Sequence, residues 1–182
     1  MSVVGSTGTG KTTFARELAA ILGVPHVELD ALAWGPRWTL AETDVFVARV
    51  RDAISGDAWV VDGNYGGRGA GQLIWPRADT IVWLDFSLGV IYRRLWRRTI
   101  ERIRDRNELW PGTGNRESIR GAFLSRDSLF WWALKTYRRR RRNYARLFAS
   151  PETADTRRFR FRRPVEADAW LRALREAARE RV

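Results

Sequence analysis

Apolar residues follow two alternating patterns along the chain. Short, continuous apolar runs such as Thr80–Phe86 are typical of strands buried on both faces. Between these runs, apolar residues return every three or four positions, which predicts amphipathic helices. The predicted strands are 2–5, Pro25–Leu29, Ala58–Val61, Thr80–Phe86 and Arg157–Arg162. The predicted helices are Lys11–Leu22, Glu42–Ile54, Leu88–Arg104, the region Glu117–Phe148, either continuous or interrupted near Ser125, and a last one that begins at Pro164.

This alternation of strands and helices predicts a parallel sheet with helices on both faces. We therefore expect an α/β protein with a three-layer α/β/α P-loop fold and a five-stranded parallel sheet. No linker divides the sequence, so residues 1–182 are predicted to form a single domain. The stretch Asn107–Asn115, with one proline and two glycines, separates the two longest predicted helices. We expect segment 104–122 to be a helical, arginine-rich lid.

Composition excludes several classes of site. The chain lacks cysteine and has one histidine, His26, so disulfides, thiolate catalysis and histidine-cluster metal sites are excluded. Its apolar runs are shorter than the roughly 20 residues needed to span a bilayer. The sequence starts without a signal-peptide pattern, and we expect a cytoplasmic protein that does not bind membranes.

The charge balance is strongly basic. Lys and Arg total 33 against 21 acidic residues, a formal net charge of +12, and only Lys11 and Lys135 are lysines. One interpretation is a general bias toward arginine codons combined with small phosphate ligands. The other is a nucleic-acid partner. Charge alone does not decide between them.

A glycine-rich segment carries the clearest chemical signal. Gly5–Thr12 matches the pattern G-x-x-x-x-G-K-[ST] and lies between a predicted strand and a predicted helix. We expect its backbone N–H groups to cradle the phosphates of ATP, with Lys11 reaching the β- and γ-phosphates and Thr12 binding Mg²⁺. Lysine here, in a chain that otherwise uses arginine, indicates a need for a compact charge. The predicted ATP-binding residues are Gly5, Gly8, Thr9, Gly10, Lys11, Thr12 and Thr13.

Three aspartates lie at predicted strand ends, where ligands of such sheets bind. Asp30 is predicted to be catalytic, because it could orient or deprotonate an attacking hydroxyl group. Asp62 is predicted to bind Mg²⁺ together with Thr12. Asp85 precedes a helix and is predicted to be a turn or capping residue.

Arginines cluster on both predicted lid helices. Arg93 and Arg97 lie four residues apart on one helical face, and Arg126 follows the helix break. Together with Lys11, we predict these three to be catalytic, because arginines stabilise a phosphoryl group during its transfer. Most of the other arginines are expected to lie on solvated helix faces.

Tryptophan is abundant, with ten residues. Trp34, Trp38, Trp75 and Trp110 fall in predicted loops around the expected site. They could form the wall of a pocket for a flat or apolar acceptor, or pack on one another.

Beyond the phosphate loop, three segments carry a family resemblance: His26–Trp34, Trp59–Tyr65 and Arg77–Asp85. Together they resemble adenylate-kinase-like P-loop proteins, a group labelled "DNA topology modulation protein" or "adenylate kinase and related kinases". More distantly, the chain is similar to nucleoside monophosphate kinases. In that resemblance Arg93 and Arg97 match lid-entry arginines and Arg126 a lid-exit arginine.

These observations favour a kinase. We expect transfer of the γ-phosphoryl group of ATP, with Mg²⁺, to a small acceptor such as a nucleoside or nucleotide, by a chain that acts as a monomer. The alternative is a nucleic-acid-associated ATPase or DNA-binding protein that uses the basic helices. Arginines that converge on the phosphate loop would favour the kinase, whereas an outward basic stripe would favour the alternative.

Overall fold

The computed structural model describes residues 1–105, 108–116 and 128–180. Its main sheet has five strands in the order β2-β5-β1-β6-β7, and every neighbouring pair is parallel. The predicted α/β class with a five-stranded parallel sheet is therefore confirmed. The strands of this sheet are β1 (Ser2–Gly5), β2 (His26–Glu28), β5 (Val60–Asp62), β6 (Thr80–Leu84) and β7 (Arg157–Phe161).

The helices connect these strands and cover both faces of the sheet. None of those in the described part of the chain is both long enough and apolar enough to cross a bilayer. The helices are α1 (Lys11–Leu22), α2 (Leu29–Ala33), α3 (Thr43–Ala53), α4 (Ala70–Ile74), α5 (Leu88–Asp105), α6 (Leu129–Ala149) and α7 (Pro164–Arg179).

The core lies in two layers, one on each face of the sheet. Successive residues of a strand point to opposite faces, so Val3 of β1 packs toward α1 and α7 whereas Val4 packs toward α3, α4 and α6. Phe14 and Leu171 are buried in the first layer, and Phe46 is buried in the second. This three-layer arrangement places the carboxyl ends of β1, β2 and β5 side by side.

Two short helices were not predicted from the sequence. Strand β2 ends at Glu28, and Asp30 lies in the first turn of α2 rather than in a loop. The stretch 63–71 is dense in glycine, and it contains a 3₁₀ turn and the first residues of α4. Both α-helices have only five residues, which is too short for a helical period to stand out in the sequence.

A small hairpin lies beyond the main sheet. Strands β3 (Trp34–Gly35) and β4 (Thr39–Leu40) pair antiparallel, and the described segment 108–116 packs against them. The buried side chain of Asn115 accepts a hydrogen bond from the Trp38 backbone N–H (2.9 Å) and donates one to the Gly35 carbonyl (2.9 Å). The only described part of the predicted lid tip is thus attached to the hairpin.

Candidate active site

The predicted phosphate-binding segment Gly5–Thr12, called the phosphate loop below, connects β1 to α1, and its backbone conformation requires glycine. Gly8 has a φ of +84°, and a Cβ atom there would lie 2.5 Å from Cγ of Leu95 on α5. Thr9 is fully buried, and its hydroxyl donates to the Ser6 carbonyl at 2.9 Å. Helix α1 begins at Lys11, so its free N–H groups face the loop. The predicted loop residues, from Gly5 to Thr13, lie along this turn and the first turn of α1.

Lys11 is held inside the loop. Its ammonium group donates to the Ser6 carbonyl at 3.1 Å. Burial is the main cause that lowers the pKa of Lys11 to about 8, and the positive charge of Arg140 is the second. The negative charges of Asp62 and Asp30 partly offset this by raising the same pKa. The ammonium group of Lys11 is buried and has no direct carboxylate partner in the described part of the chain, so an anion that binds in the loop would stabilise its charged form.

Thr12 and Asp62 meet directly, although 50 residues separate them in the sequence. The Thr12 hydroxyl donates to Asp62 Oδ2 at 2.8 Å, and His26 Nε2 lies 3.0 Å from Oδ1 of the same carboxylate. Asp62 is only 2% exposed. The carboxylate is thus fixed between α1 and β2 at the carboxyl end of β5.

Mg²⁺ fits this pair of oxygen ligands. Magnesium in phosphotransfer sites is commonly held by one or two protein oxygens together with phosphate oxygens and water. Thr12 and Asp62 supply a hydroxyl and a carboxylate beside the phosphate loop. Across the described ranges, no group of three or more His, Asp or Glu residues could hold a metal ion, so a cage built only from such side chains is absent there.

Asp30 lies near this pair and is bonded to a tyrosine. The Tyr65 hydroxyl donates to Asp30 Oδ1 at 2.6 Å, and burial and Asp30 raise the pKa of Tyr65. The charge of Asp30 raises the pKa of both Lys11 and Arg140. Asp30 therefore acts electrostatically on two cations of the phosphate loop region.

A further carboxylate, that of Glu28, lies at the carboxyl end of β2, two residues before Asp30. It accepts a hydrogen bond from Trp110 Nε1 at 3.2 Å, and burial raises its pKa. The rings of Trp34, Trp38 and Trp110 pack on one another, with centroids 5.9 to 6.5 Å apart. The sequence predicts that the loop tryptophans either form the wall of a pocket or pack on one another, and these three pack on one another.

Two arginines converge on the phosphate loop. Arg94 of α5 donates to the Thr9 carbonyl at 2.6 Å, and its guanidinium lies over the Phe86 ring. Arg140 of α6 donates to the Thr7 hydroxyl at 2.8 Å. Burial lowers the pKa of each arginine.

The predicted catalytic arginines lie elsewhere on α5 or outside the described residues. The side chains of Arg93 and Arg97 are exposed, and Arg97 pairs with Glu101 at 3.7 Å. Arg94, the residue after Arg93, lies on the face of α5 that reaches the loop. Arg126 falls in 117–127, outside the described residues, as does part of the predicted lid 104–122.

The structure places Arg94 and Arg140 beside buried residues of their helices, and only for Arg94 does the apolar pattern of the sequence indicate this. Arg94 follows the buried Ile91 by three positions, which places it beside the apolar stripe of α5. Arg140 lies four residues after Thr136 and four before Tyr144, and both of those are buried. The inward direction of Arg140 therefore becomes visible only once the packing of α6 is known.

Asp85 has a different role from the capping role predicted for it. Its buried carboxylate pairs with Arg141 of α6 at 2.7 Å and with Arg160 of β7 at 2.6 Å. The Arg160 guanidinium also lies 4.2 Å from the centroid of the Trp83 ring. Asp85 therefore joins a helix to the sheet.

A cavity of about 520 Å³ opens beside the phosphate loop. Arg140, which reaches Thr7, and Tyr65, which reaches Asp30, both line it, as does Gly63, the neighbour of Asp62. Part of its wall is apolar and includes Val4, Val61, Leu29 and Ile74. A small molecule in this cavity would lie between the phosphate loop and the residues that contact Asp30.

Comparison with known proteins supports the fold. No protein-family model and no curated protein matches the sequence. Among solved structures, the chain resembles a shikimate kinase from Bacteroides thetaiotaomicron, with a TM-score of 0.55, 16% identity and coverage of 97% of this chain and 96% of that one. It also resembles a gluconokinase from Sinorhizobium meliloti 1021, with a TM-score of 0.50, 19% identity and coverage of 99% and 95%. At these identities the likeness shows that the chain shares the fold of these two proteins.

Proposed function

We propose that this protein is a phosphotransferase that moves the γ-phosphoryl group of ATP to a small acceptor, of the nucleoside or nucleotide class. The observation that carries this proposal is the hydrogen bond between Thr12 and Asp62, 2.8 Å long, at the start of a helix that follows a glycine-rich loop. It joins the last residue of the phosphate-binding sequence to a buried strand-end carboxylate. P-loop enzymes use such a pair to hold Mg²⁺ on bound phosphates.

Each residue has a task in this proposal. The loop N–H groups and Lys11 bind the β- and γ-phosphates, and Arg94 and Arg140 hold the loop from outside. Thr12 and Asp62 hold Mg²⁺, which neutralises phosphate charge when bound. Asp30 orients the acceptor hydroxyl and accepts its proton.

The cavity is the proposed acceptor site. Its lining includes Arg140 and Tyr65, so an acceptor bound there has the phosphate loop at one side and the Asp30–Tyr65 pair at another. Arg93, Arg97 and Arg126 stay candidates for closing over the phosphates when both substrates are bound. The resemblance to nucleoside monophosphate kinases supports this role for them.

The two lysines provide a matched test of donor binding. Lys11→Ala removes the ammonium group of the loop, and we expect ATP affinity to fall by roughly tenfold or more. Lys135→Ala removes an exposed lysine of α6 and should leave ATP affinity unchanged. Calorimetric titration with a non-hydrolysable ATP analogue measures both. Equal ATP affinity in Lys11→Ala and the unaltered protein would overturn the donor site.

A further inference from the structure

The side chains that line the cavity beside the phosphate loop include several hydrogen-bond donors. The Tyr144 hydroxyl donates to Asn64 Oδ1 at 2.6 Å, which leaves the amide N–H groups of Asn64 for the cavity. The Tyr65 hydroxyl proton is already given to Asp30. No carboxylate belongs to the described lining. A ligand rich in acceptor atoms or negative charge matches this set of groups.

Two neighbouring arginines of α6 add positive charge to the same lining. Arg140 donates to the Thr7 hydroxyl, and its charge is repelled by Arg139. Within the described ranges, Arg139 makes no hydrogen bond and no ion pair. Arg140 is engaged at the phosphate loop, so Arg139 is the arginine available to an occupant of the cavity. An anionic group would supply the partner that the lining lacks.

An indole ring forms another part of the cavity wall, and two glycines make room for it. A Cβ atom on Gly66 would lie 2.7 Å from the Trp75 ring, and one on Gly71 would lie 2.6 Å from it. Both glycines and Trp75 line the cavity. The glycine-dense stretch therefore seats this ring closely against its own backbone, at the edge of the space where the acceptor would lie.

Resting on the phosphotransferase function proposed above, we propose that Arg139 selects an acceptor that carries an anionic group. We further assign Trp75 as the surface that packs against an aromatic or heteroaromatic body of that acceptor. A polyol acceptor fits the cavity less well, because part of its hydroxyl surface would lie against the apolar side chains of Val61, Leu29 and Ile74. An aromatic body would instead bury apolar area against Trp75, Val61 and Ile74.

Matched ligand pairs test this assignment in the full chain saturated with a non-hydrolysable ATP analogue and Mg²⁺. The probes are cytidine, thymidine and guanosine, each with its 5′-monophosphate, and glucose with gluconate, measured by isothermal titration. We expect at least one monophosphate to bind about tenfold or more tightly than its nucleoside and than gluconate. Equal affinity for the two members of every nucleoside pair would overturn the role of Arg139. Gluconate binding as tightly as the best monophosphate would overturn the role of Trp75.

Substitutions then separate the residues. Arg139→Gln should reduce the preference for the monophosphate to about threefold or less, with ATP-analogue affinity unchanged. Arg142→Gln alters an exposed arginine of the same helix that does not line the cavity, and should keep the preference. Trp75→Leu should weaken nucleoside and monophosphate equally, and thermal unfolding identifies any variant that fails to fold. Retention of the full preference in Arg139→Gln would contradict the proposal.

Failure of the inference differs from failure of the proposed function. If the ATP analogue binds but no anionic probe does, the acceptor assignment is wrong and the donor site stands. If the ATP analogue itself does not bind, the phosphotransferase function is wrong.

Discussion

Asp62 shares its two carboxylate oxygens between a hydroxyl and an imidazole. Thr12 contacts one oxygen and His26 the other, at 2.8 and 3.0 Å. The carboxylate therefore has a fixed orientation before any ligand enters. Asp30 differs, because it accepts a hydrogen bond from Tyr65, which lines the cavity. The two aspartates are thus placed for different tasks.

This difference predicts different responses to magnesium. Asp62→Asn should raise the Mg²⁺ concentration for half-maximal activity by roughly tenfold or more, because an amide is a weaker ligand than a carboxylate. Asp30→Asn should lower kcat by roughly 100-fold with an unchanged Mg²⁺ requirement. Activity measured over a Mg²⁺ titration checks both variants. Superimposable titrations for the two would show that their tasks are not divided in this way.

Lys11 predicts a pH dependence of donor binding. Burial and the neighbouring Arg140 lower its pKa to about 8, and phosphate binding favours the charged ammonium. As pH rises above 8, the lysine loses its proton and phosphate affinity should fall, by up to about tenfold per pH unit. Titration of the ATP analogue in EDTA, between about pH 7.5 and 9.5, measures this fall.

Two variants control that measurement. Lys11→Met should bind weakly with an almost flat pH profile over the same range. Arg140→Gln removes a cation that lowers the pKa of Lys11, so the fall should begin at a higher pH. A fall of the same size in Lys11→Met would attribute the pH dependence to another group.

At the scale of elements, α6 is attached to the rest of the molecule through consecutive arginines. Arg140 reaches the phosphate loop and Arg141 reaches Asp85 at the end of β6. Asp85 also binds Arg160 of β7. The rotation of α6 that directs Arg140 at the loop is therefore coupled to an ion-pair group outside the proposed chemistry.

The ion pairs of Asp85 with Arg141 and Arg160 predict that two aspartate variants differ in their free energy of unfolding. Asp85→Asn should lower the free energy of unfolding by about 2 kcal/mol, because a buried carboxylate with two arginine partners is neutralised. Asp79→Asn removes a carboxylate that is 64% exposed and 3.4 Å from Arg157, and should cost less than about 1 kcal/mol. Urea unfolding followed by tryptophan fluorescence measures both. Equal losses would contradict a structural role for Asp85.

The sequence predicted the elements better than it predicted the faces of the helices. Strand β6 follows from a continuous apolar run and β7 from an alternation of Arg and Phe, and the position of the phosphate loop follows from its glycine and lysine pattern. The side of α5 that faces the loop depends on its packing through Ile91 and Leu95, and one residue of rotation separates Arg94 from Arg93. The pairing of Thr12 with Asp62 depends on strand order, which the sequence does not state.

At the scale of the whole molecule, the arginines that give the chain its net charge of +12 form two groups, one facing inward and one exposed to solvent. Arg94 and Arg140 point to the phosphate loop and Arg141 to Asp85, whereas Arg93, Arg97 and most arginines in the described part of α6 are exposed. Exposed arginines give any basic protein some affinity for DNA at low salt. DNA binding at low salt therefore does not distinguish a kinase from a nucleic-acid-associated ATPase.

The fate of the γ-phosphate distinguishes them most directly. The protein would be incubated with Mg²⁺, γ-³²P-labelled ATP and the nucleosides and 5′-monophosphates used above, and the labelled products separated by chromatography. We predict that label moves into an organic product, that Lys11→Ala abolishes this transfer, and that Lys135→Ala retains it. Label found only in inorganic phosphate with every acceptor, and released faster when DNA is added at physiological salt, would contradict the phosphotransferase and favour the ATPase.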